Sequence, residues 1–483
     1  MTVNGEPGVI EKIDDYTVRY SFSAPYYLFP NVLAGFANIA SHSTWGFSGQ
    51  GGFAPAHYLK QFHPKYNENV DELVAEAGVE NWVALLMLKN DWSLNPDLPV
   101  LTPWKTTNPI NTDTWVLERN PYYFAVDSAG NQLPYIDQIV MTLAEDIEVL
   151  NLRAVAGDYD FQARHLQMSN LPVFIDNQAE GGYDIHLDPG DNVALVVRFN
   201  LNYEADPEIG RLLSSADFRR ALSMGLDRDQ FNEAFYLGLG TPGSAAPASS
   251  NVYFPGDEWR DKWSTLDVDT ANQMLDALGL DQRDGDGFRL RSDGEGRLTL
   301  DINAISGSFQ PYDEIAEMMR QQWAENLGVD TRVQVVERSF AGELAAANET
   351  QLELWDGGGT DNVYGQSSNL FPTGEESSMG PLWGAWFTSS GAQGVEPEPA
   401  MKTVMDDWRK GQQVPAEERI VLGKQMWELL IDNVYYIGVI GQVPATMGLR
   451  IANVDLGNVP AREVISLDGM TPALTRPDTY YWK

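Results

Sequence analysis

The chain contains no cysteine in its 483 residues, which removes disulfides, thiolate catalysis and Cys-based zinc sites together and leaves its compartment open. Histidine is scarce too. His42, His57, His63, His165 and His186 show neither an H-E-x-x-H pattern nor a spacing suited to a metal, so no metal or other cofactor is expected. Positive charge is also limited: 32 Lys and Arg against 69 Asp and Glu leave a formal charge of −37. Such a surface repels polyphosphates and anionic membranes at long range, so nucleic acid is not expected as a partner. The excess acid itself reads as a solvated exterior. No apolar run approaches the roughly 18 residues of a membrane span, the longest being residues 82–88 and 434–441. Residues 1–8 (MTVNGEPG) lack the basic and apolar regions of a secretion signal. There is no P-loop, so the chain does not hydrolyse ATP itself, and there is no internal repeat.

What is present is material for large cores. Apolar residues make up 43% of the chain, with 14 Trp, 20 Tyr and 19 Phe, enough for two or three domains and for a stacking pocket. Residues 193–201 form a nearly continuous β-branched run of the kind a strand buried on both faces needs. Ser215 then caps a helix in which Phe218, Ala221, Leu222 and Gly225 share one packed face while Arg219, Arg220 and Ser223 face outward. Asp227, with Gln230 three residues on, starts a second short helix that ends at Gly238.

Between 298 and 360 the apolar period alternates. Leu298, Leu300 and Ile302 give period two, Ile315, Met318, Met319 and Trp323 give helix period, and Val329, Thr331, Val333 and Val335 return to period two. A helix at about 341–348 and a strand at 352–355 complete a βαβαβ unit, which predicts right-handed crossovers and a parallel sheet. Two helices follow, one carrying Met401, Val404, Met405 and Trp408, the other running from Pro415 to about 431. Residues 434–443 then return as a strand expected to cross back to the first lobe. Residues 1–100 combine a hairpin signal, an aromatic turn at Tyr26, Tyr27 and Phe29, a Gly-rich loop at 47–53 and a helical stretch near 70–88; they read as the remainder of a small inserted domain. The first α/β lobe is then expected at 101–250, the second at 251–433, and a return to the first at 434–483. The G-x-G-x-x-G match at 238–243 ends a helix rather than opening one and reads as a loop. DQRDGDG at 281–287 has the spacing of a calcium loop without its downstream helix and reads as a hairpin turn.

Four segments carry a family resemblance: 9–25 (VIEKIDDYTVRYSFSAP), 115–137 (WVLERNPYYFAVDSAGNQLPYID), 154–161 (AVAGDYDF), and the pair FRRALSMGLDRDQF at 218–231 with the strand before it. Together they resemble the family 5 extracellular solute-binding proteins, the ligand-capturing subunits of peptide-type ABC importers. The resemblance implies an α/β, two-lobed, type II clamshell fold with a small inserted extra domain, and a binding protein rather than an enzyme. It implies capture of a solute, with oligopeptide favoured over oligosaccharide, and delivery by a monomer to membrane permease subunits of an ABC importer. It also implies a periplasmic or extracellular location, with a membrane anchor as an option. The family places a secretion signal and on the order of a hundred residues before the hairpin at 9–25, so an N-terminally truncated chain is expected. The rival reading is a secreted glycoside hydrolase working through two carboxylates.

In an open α/β sheet the ligand lies beyond the carboxyl ends of the strands. That rule selects Ser306, Gly307 and Ser308 after the first strand of the second lobe, Arg338 and Ser339 after the second, and Trp355, Asp356, Gly357 to Gly359 and Asp361 after the third. Trp383, Trp386 and Phe387 sit in a Gly/Ser-rich segment and either line the cleft or pack beneath a long loop. Asn200 and Asn202, at a strand exit, either meet the ligand or satisfy their own loop. The resemblance puts Asp361 in the region where peptide-binding members hold the ligand's amino terminus; a loop-capping Asp is the alternative. The expected binding set is Trp383, Trp386, Asp361, Trp355, Ser306, Asn200 and Asn202, with no catalytic and no metal-binding residue.

Overall fold

A computed structural model describes residues 2–3, 5–33, 54–188, 190–306, 309–365, 367–445, 447–463, 465 and 472–483. The expected Gly-rich loop at 47–53, and Gly307 and Ser308, lie outside the described residues. Strand β1, Val193–Phe199, is buried at all seven positions, as its apolar run predicts. Around it lie β2 (Thr241–Pro242), β3 (Thr299–Ile305), β4 (Asp330–Val336), β5 (Leu352–Gly357) and β6 (Tyr436–Gly441). Across the sheet the order is β2-β6-β1-β5-β3-β4. Strand β3 runs parallel to β4 and β5, joined through helices Tyr312–Gln322 and Arg338–Ala346, so the expected βαβαβ unit is present. Strand β1 is antiparallel to both its neighbours: Val193 faces Gly357 of β5 and Gly441 of β6, and Phe199 faces Leu352.

This pairing corrects the expected lobe boundary at 250/251. Strand β1, assigned to the first lobe, shares one sheet with β3, β4 and β5, assigned to the second. Residues 434–443, expected to cross back to the first lobe, do pair with β1 and β2 from 101–250, but as β6 of that same shared sheet. The return is made by Leu449–Asn453, which pairs with Phe161–Gln162 and Tyr183–Leu187 in a three-stranded antiparallel sheet. Helices Ile147–Ala156 and Leu171–Gly181 pack together there, so this smaller lobe is built from 147–188 and the tail. The chain crosses between the lobes twice, after Leu187 and after Gly441.

Two further expectations change for one reason, burial of the helix Ala216–Met224 on both sides. Arg219 and Ser223 do not face outward. Arg219 is buried and donates to the carbonyls of Leu213, Asn433 and Val434, with its guanidinium 5.3 Å from the Tyr435 ring. Ser223 donates to the Trp263 carbonyl. Only Arg220 keeps partial exposure. At the next helix Asp227 accepts from the Gln230 N–H as expected, but the reciprocal contact comes from Gln322, whose Oε1 accepts from the Asp227 N–H at 2.8 Å.

The expected small domain at 1–100 divides. Leu59, Phe62, Val70, Leu85 and Leu98 form a core of their own. By contrast the aromatic turn joins the large lobe: Leu28 and Val32 belong to the main core, and the Leu28 N–H donates to the Gln412 carbonyl. Trp104–Asn108, Thr114–Arg119 and Gln138–Thr142 form a separate three-stranded antiparallel sheet.

The smaller lobe leaves apolar side chains in water. Leu152 is 68% exposed and Ile175 56%, with Val173 and Leu187 also exposed. Few buried apolar contacts give a low local opening free energy. Amides of Tyr183–Leu187 and Leu449–Asn453 are therefore expected to exchange with deuterium faster than those of β1 and β5. Equal protection in a monodisperse sample would show that the smaller lobe is as stable as the sheet of the larger one.

Candidate ligand cleft and hinge

Because β1 opposes β5 and β6 in direction, its start shares the edge where β3, β4 and β5 end. At this carboxyl edge the sequence after β3 brings Phe309 and Gln310. Gln310 Nε2 donates to the Ala194 carbonyl at 2.7 Å, and its Oε1 accepts from the Tyr236 hydroxyl, which ties Phe309 to the head of β1. Facing it is a turn of the smaller lobe. Buried Asn151, from helix Ile147–Ala156, donates to the His165 carbonyl and accepts from the Gln167 N–H, holding that turn, with His165 at φ 63°. The His165 ring stacks on Phe309, centroids 4.7 Å apart and 3° from parallel, and the Arg164 guanidinium lies 5.5 Å from the same ring. Both lobes therefore meet at Phe309. Burial holds the His165 imidazole below its usual range, with Arg164 adding to the effect, so it is neutral at pH 7.

Three of the expected site residues reach this edge. Trp355 of β5 is partly exposed; it stacks on Tyr312 at 5.2 Å, with the Arg338 guanidinium 5.4 Å from its ring. Asp361 follows Thr360, whose Oγ1 accepts from the Val193 N–H at 2.7 Å, so the loop carrying Asp361 is pinned to the head of β1; Asn251 donates to the Asp361 carbonyl. Ser306 is exposed, its N–H and hydroxyl both directed to the Val336 carbonyl. Asp356 is buried, and burial pushes its carboxyl up, against the pull of Arg198. Arg198 is itself buried and donates to the carbonyls of Asp356 and Asn369 and to Glu353 Oε1, so it clamps both ends of the loop between β5 and Asn369.

The other four lie at the opposite edge. Asn200 is buried and donates to the Thr350 carbonyl and Asn348 Oδ1, while its own Oδ1 accepts from the Asn202 N–H. Asn202 Oδ1 accepts from the Trp383 N–H at 3.0 Å. Both asparagines satisfy local backbone, and they do so where β5 begins rather than where it ends. A groove of about 440 Å³ beside Leu201, Asn202, Tyr203 and Leu382 opens there, away from the smaller lobe. Trp383 and Trp386 belong to a helix, Pro381–Thr388, that Gly380 admits with φ 158°. Trp383 and Phe387, four residues apart, are buried in the main core, and Trp386 is partly buried beside Lys402. Trp383→Ala should cost about 3–5 kcal/mol in urea unfolding, as a core truncation does, and Trp355→Ala clearly less. The reverse order would exchange their roles.

The two inter-lobe connections are joined by buried charge. Arg450 Nε donates to Asp188 Oδ2 at 2.8 Å and lies 3.4 Å from Glu463 Oε2, and all three side chains are fully buried. Asp188 Oδ1 accepts from the Glu463 N–H, and the Asp188 N–H donates to the Gly448 carbonyl. Asp188 follows Leu187 and Gly448 precedes Leu449, so the cluster sits where the chain enters and leaves the smaller lobe. Burial lifts the Glu463 carboxyl to about 7; Arg450 opposes this and Asp188 adds to it. A carboxyl whose folded pKa is raised contributes stability that is complete below its ordinary range near 4.3 and is lost as pH rises through about 7. Glu463→Gln should therefore flatten the fall of Tm between pH 5 and 8, roughly the window of this titration. A variant with the same slope as the parent would remove Glu463 from the hinge's pH response.

Of the residues that build the cleft, Arg338, Trp355 and Asp356 follow from the strand-end rule. Arg164, His165 and Phe309 do not, since nothing periodic marks a turn that acts across a gap between lobes. Helix geometry of a membrane span is absent among the described residues, as is any cluster of three His, Asp or Glu able to hold a metal.

Comparison with known proteins agrees with this architecture. The description "Bacterial extracellular solute-binding proteins, family 5 Middle" matches residues 5–379, and the chain belongs to that family. Among curated proteins it is 28% identical over 309 residues to the periplasmic alpha-galactoside-binding protein of Rhizobium meliloti (strain 1021), covering 59% of this chain and 38% of that one. Among solved structures the oligopeptide-binding protein OppA superposes with TM-score 0.69 at 29% identity, covering 99% of this chain and 76% of OppA. The periplasmic binding protein MelB of Agrobacterium fabrum C58, solved with stachyose, gives TM-score 0.70 at 22% identity, covering 99% and 68%. The matched region spans 38% and 42% of the length of the two curated relatives.

Proposed function

We propose that this chain captures an oligosaccharide-class solute outside the cytoplasm, between its two lobes, and passes it intact to the permease subunits of an ABC importer. The observation that carries this reading is the partly exposed ring of Trp355 at the carboxyl edge. Trp355, stacked on Tyr312, is suited to the C–H side of a sugar ring, while Arg164 and Arg338 supply donors for hydroxyl groups. The relation to an alpha-galactoside-binding protein supports the same class. Family membership supports capture over hydrolysis.

A second reading is the oligopeptide expected from the sequence. It is favoured by Asp361 on the loop at the same edge, with arginines elsewhere in the cleft, a layout suited to the two charged ends of a peptide, and by the relation to OppA. Titration calorimetry with galacto-oligosaccharides and with short peptides decides between them. Under the first reading sugars bind and are recovered unchanged, Trp355→Ala weakens them by about 1–3 kcal/mol, and Asp361→Asn has little effect. Peptide binding lost on Asp361→Asn would establish the second, and stoichiometric release of cleaved sugar would establish a hydrolase.

A further inference from the structure

The two chain crossings are tied together at both ends. On the side of the larger lobe the Gln442 N–H donates to the Asn192 carbonyl at 3.1 Å, and on the side of the smaller lobe the Asp188 N–H donates to the Gly448 carbonyl at 2.8 Å. Turning one lobe on the other therefore bends the chain between these bonds. The ionic cluster sits at the smaller lobe's end of that bend. Arg450 comes from Leu449–Asn453, Asp188 follows Tyr183–Leu187, and Glu463 belongs to the tail.

The cluster has one acid too many. With both carboxyls ionised, two negative charges would face one guanidinium, and none of the three side chains reaches solvent. Asp188 takes the better position: its Oδ2 accepts from Arg450 Nε at 2.8 Å and its Oδ1 from the Glu463 N–H at 2.9 Å. Glu463 is left 3.4 Å from Nε, and neither of its carboxyl oxygens accepts a hydrogen bond among the described residues. Arg450 Nη2 donates to the Pro460 carbonyl instead, and Nη1 has no partner among the described residues. An unbonded carboxylate is the costlier form in a dry site, so the spare proton rests on Glu463. Nothing else nearby balances it. Tyr480, which also faces the cluster from the tail, is kept protonated by burial, and Arg462 is exposed.

We propose that this cluster is a proton-gated hinge: the lobes close with Glu463 protonated, and loss of that proton lets them open. The proposal does not depend on which solute is captured. Opening admits water to Glu463 and returns its carboxyl from about 7 toward the ordinary range near 4.3. Between those values the closed form holds the extra proton, so closure is favoured as pH falls and weakens as pH rises through about 7. One proton changes the closed-to-open ratio by up to about tenfold per pH unit within that window. A solute held between the lobes is then released more readily at neutral pH than in mild acid.

The absence of cysteine makes the test direct. In the full chain, Leu152→Cys on helix Ile147–Ala156 and Val421→Cys on helix Ala416–Asp432 place one exposed label on each lobe. The distance between two spin labels there, measured from pH 5 to 8 without ligand, is expected to lengthen as pH rises. The ratio of near to far populations should fall about tenfold or more across the range. Glu463→Gln, which cannot ionise, should keep the short distance throughout. Asp188→Asn should flatten the response, because Glu463 can then ionise beside Arg450 with no excess charge. Each variant is first shown to be folded by circular dichroism, and either decides alone if the other does not fold. Burial holds His165 and His186 below their usual range, the latter with Nδ1 3.4 Å from the Ala461 carbonyl, so both gain charge only at the acid end. Lengthening that persists in Glu463→Gln would assign the response to these histidines and overturn the proposal. A distance independent of pH in the parent would overturn it too, as would an Asp188→Asn variant whose lobes loosen equally at every pH, the mark of a purely structural staple.

Discussion

The antiparallel pairing of β1 with β5 and β6 is the constraint on which the rest of the molecule depends. A strand buried at every position has to be hydrogen-bonded on both edges, and Val193–Phe199 meets that need with partners about 150 and 240 residues further along the chain. Its direction sets everything downstream. Since β1 begins, and β6 ends, at the edge where β3 to β5 end, both connections to the smaller lobe leave from that edge. The smaller lobe then has to sit over the carboxyl ends of the parallel strands. A parallel β1 would have sent the connections to the other side and left Phe309, Trp355 and the loop of Asp361 without a facing surface.

Several buried polar groups transmit that geometry to the cleft. Gln310 fixes Phe309 to the head of β1, Thr360 fixes the loop of Asp361 to Val193, and Arg198 spans from Asp356 to Asn369. Each bond joins β1 to a segment that lines the site, so the arrangement at the cleft is held by the sheet rather than by the loops themselves. Asn151 does the same for the Arg164–His165 turn from the smaller lobe. Between the two systems lies the cluster of Arg450, Asp188 and Glu463, where two carboxyls share one guanidinium without solvent. Such a cluster is costly to break by removing one partner, which suits the one place where both chain crossings converge.

Much of this was legible locally. The doubly buried strand, the helix pair after it, the βαβαβ unit and the turn at 281–287 appear where composition and period place them, because the pattern that marks each lies within a short span. Asp284 illustrates the last, accepting from the N–H groups of Asp286 and Phe288 to close the turn. The candidates found at the opposite edge have a different cause. Asn202 was selected by nearness to a strand end and Trp383 as an aromatic in a Gly/Ser-rich segment, yet a strand has two ends. Which one faces the ligand depends on the direction in which the strand is inserted, and the apolar pattern of Val193–Phe199 reads the same for either.

The sequence by itself determined the elements, their family and the parallel unit of the larger lobe, since periodicity, capping residues and turn chemistry act over a few positions. Only the tertiary structure decided which strands share a sheet, that Arg219 and Ser223 are inside, and that Arg164, His165 and Phe309 meet. These are contacts between residues far apart in the chain, formed because burying both faces of one strand forces its neighbours into a single order and direction. No window of the sequence contains both partners of such a contact.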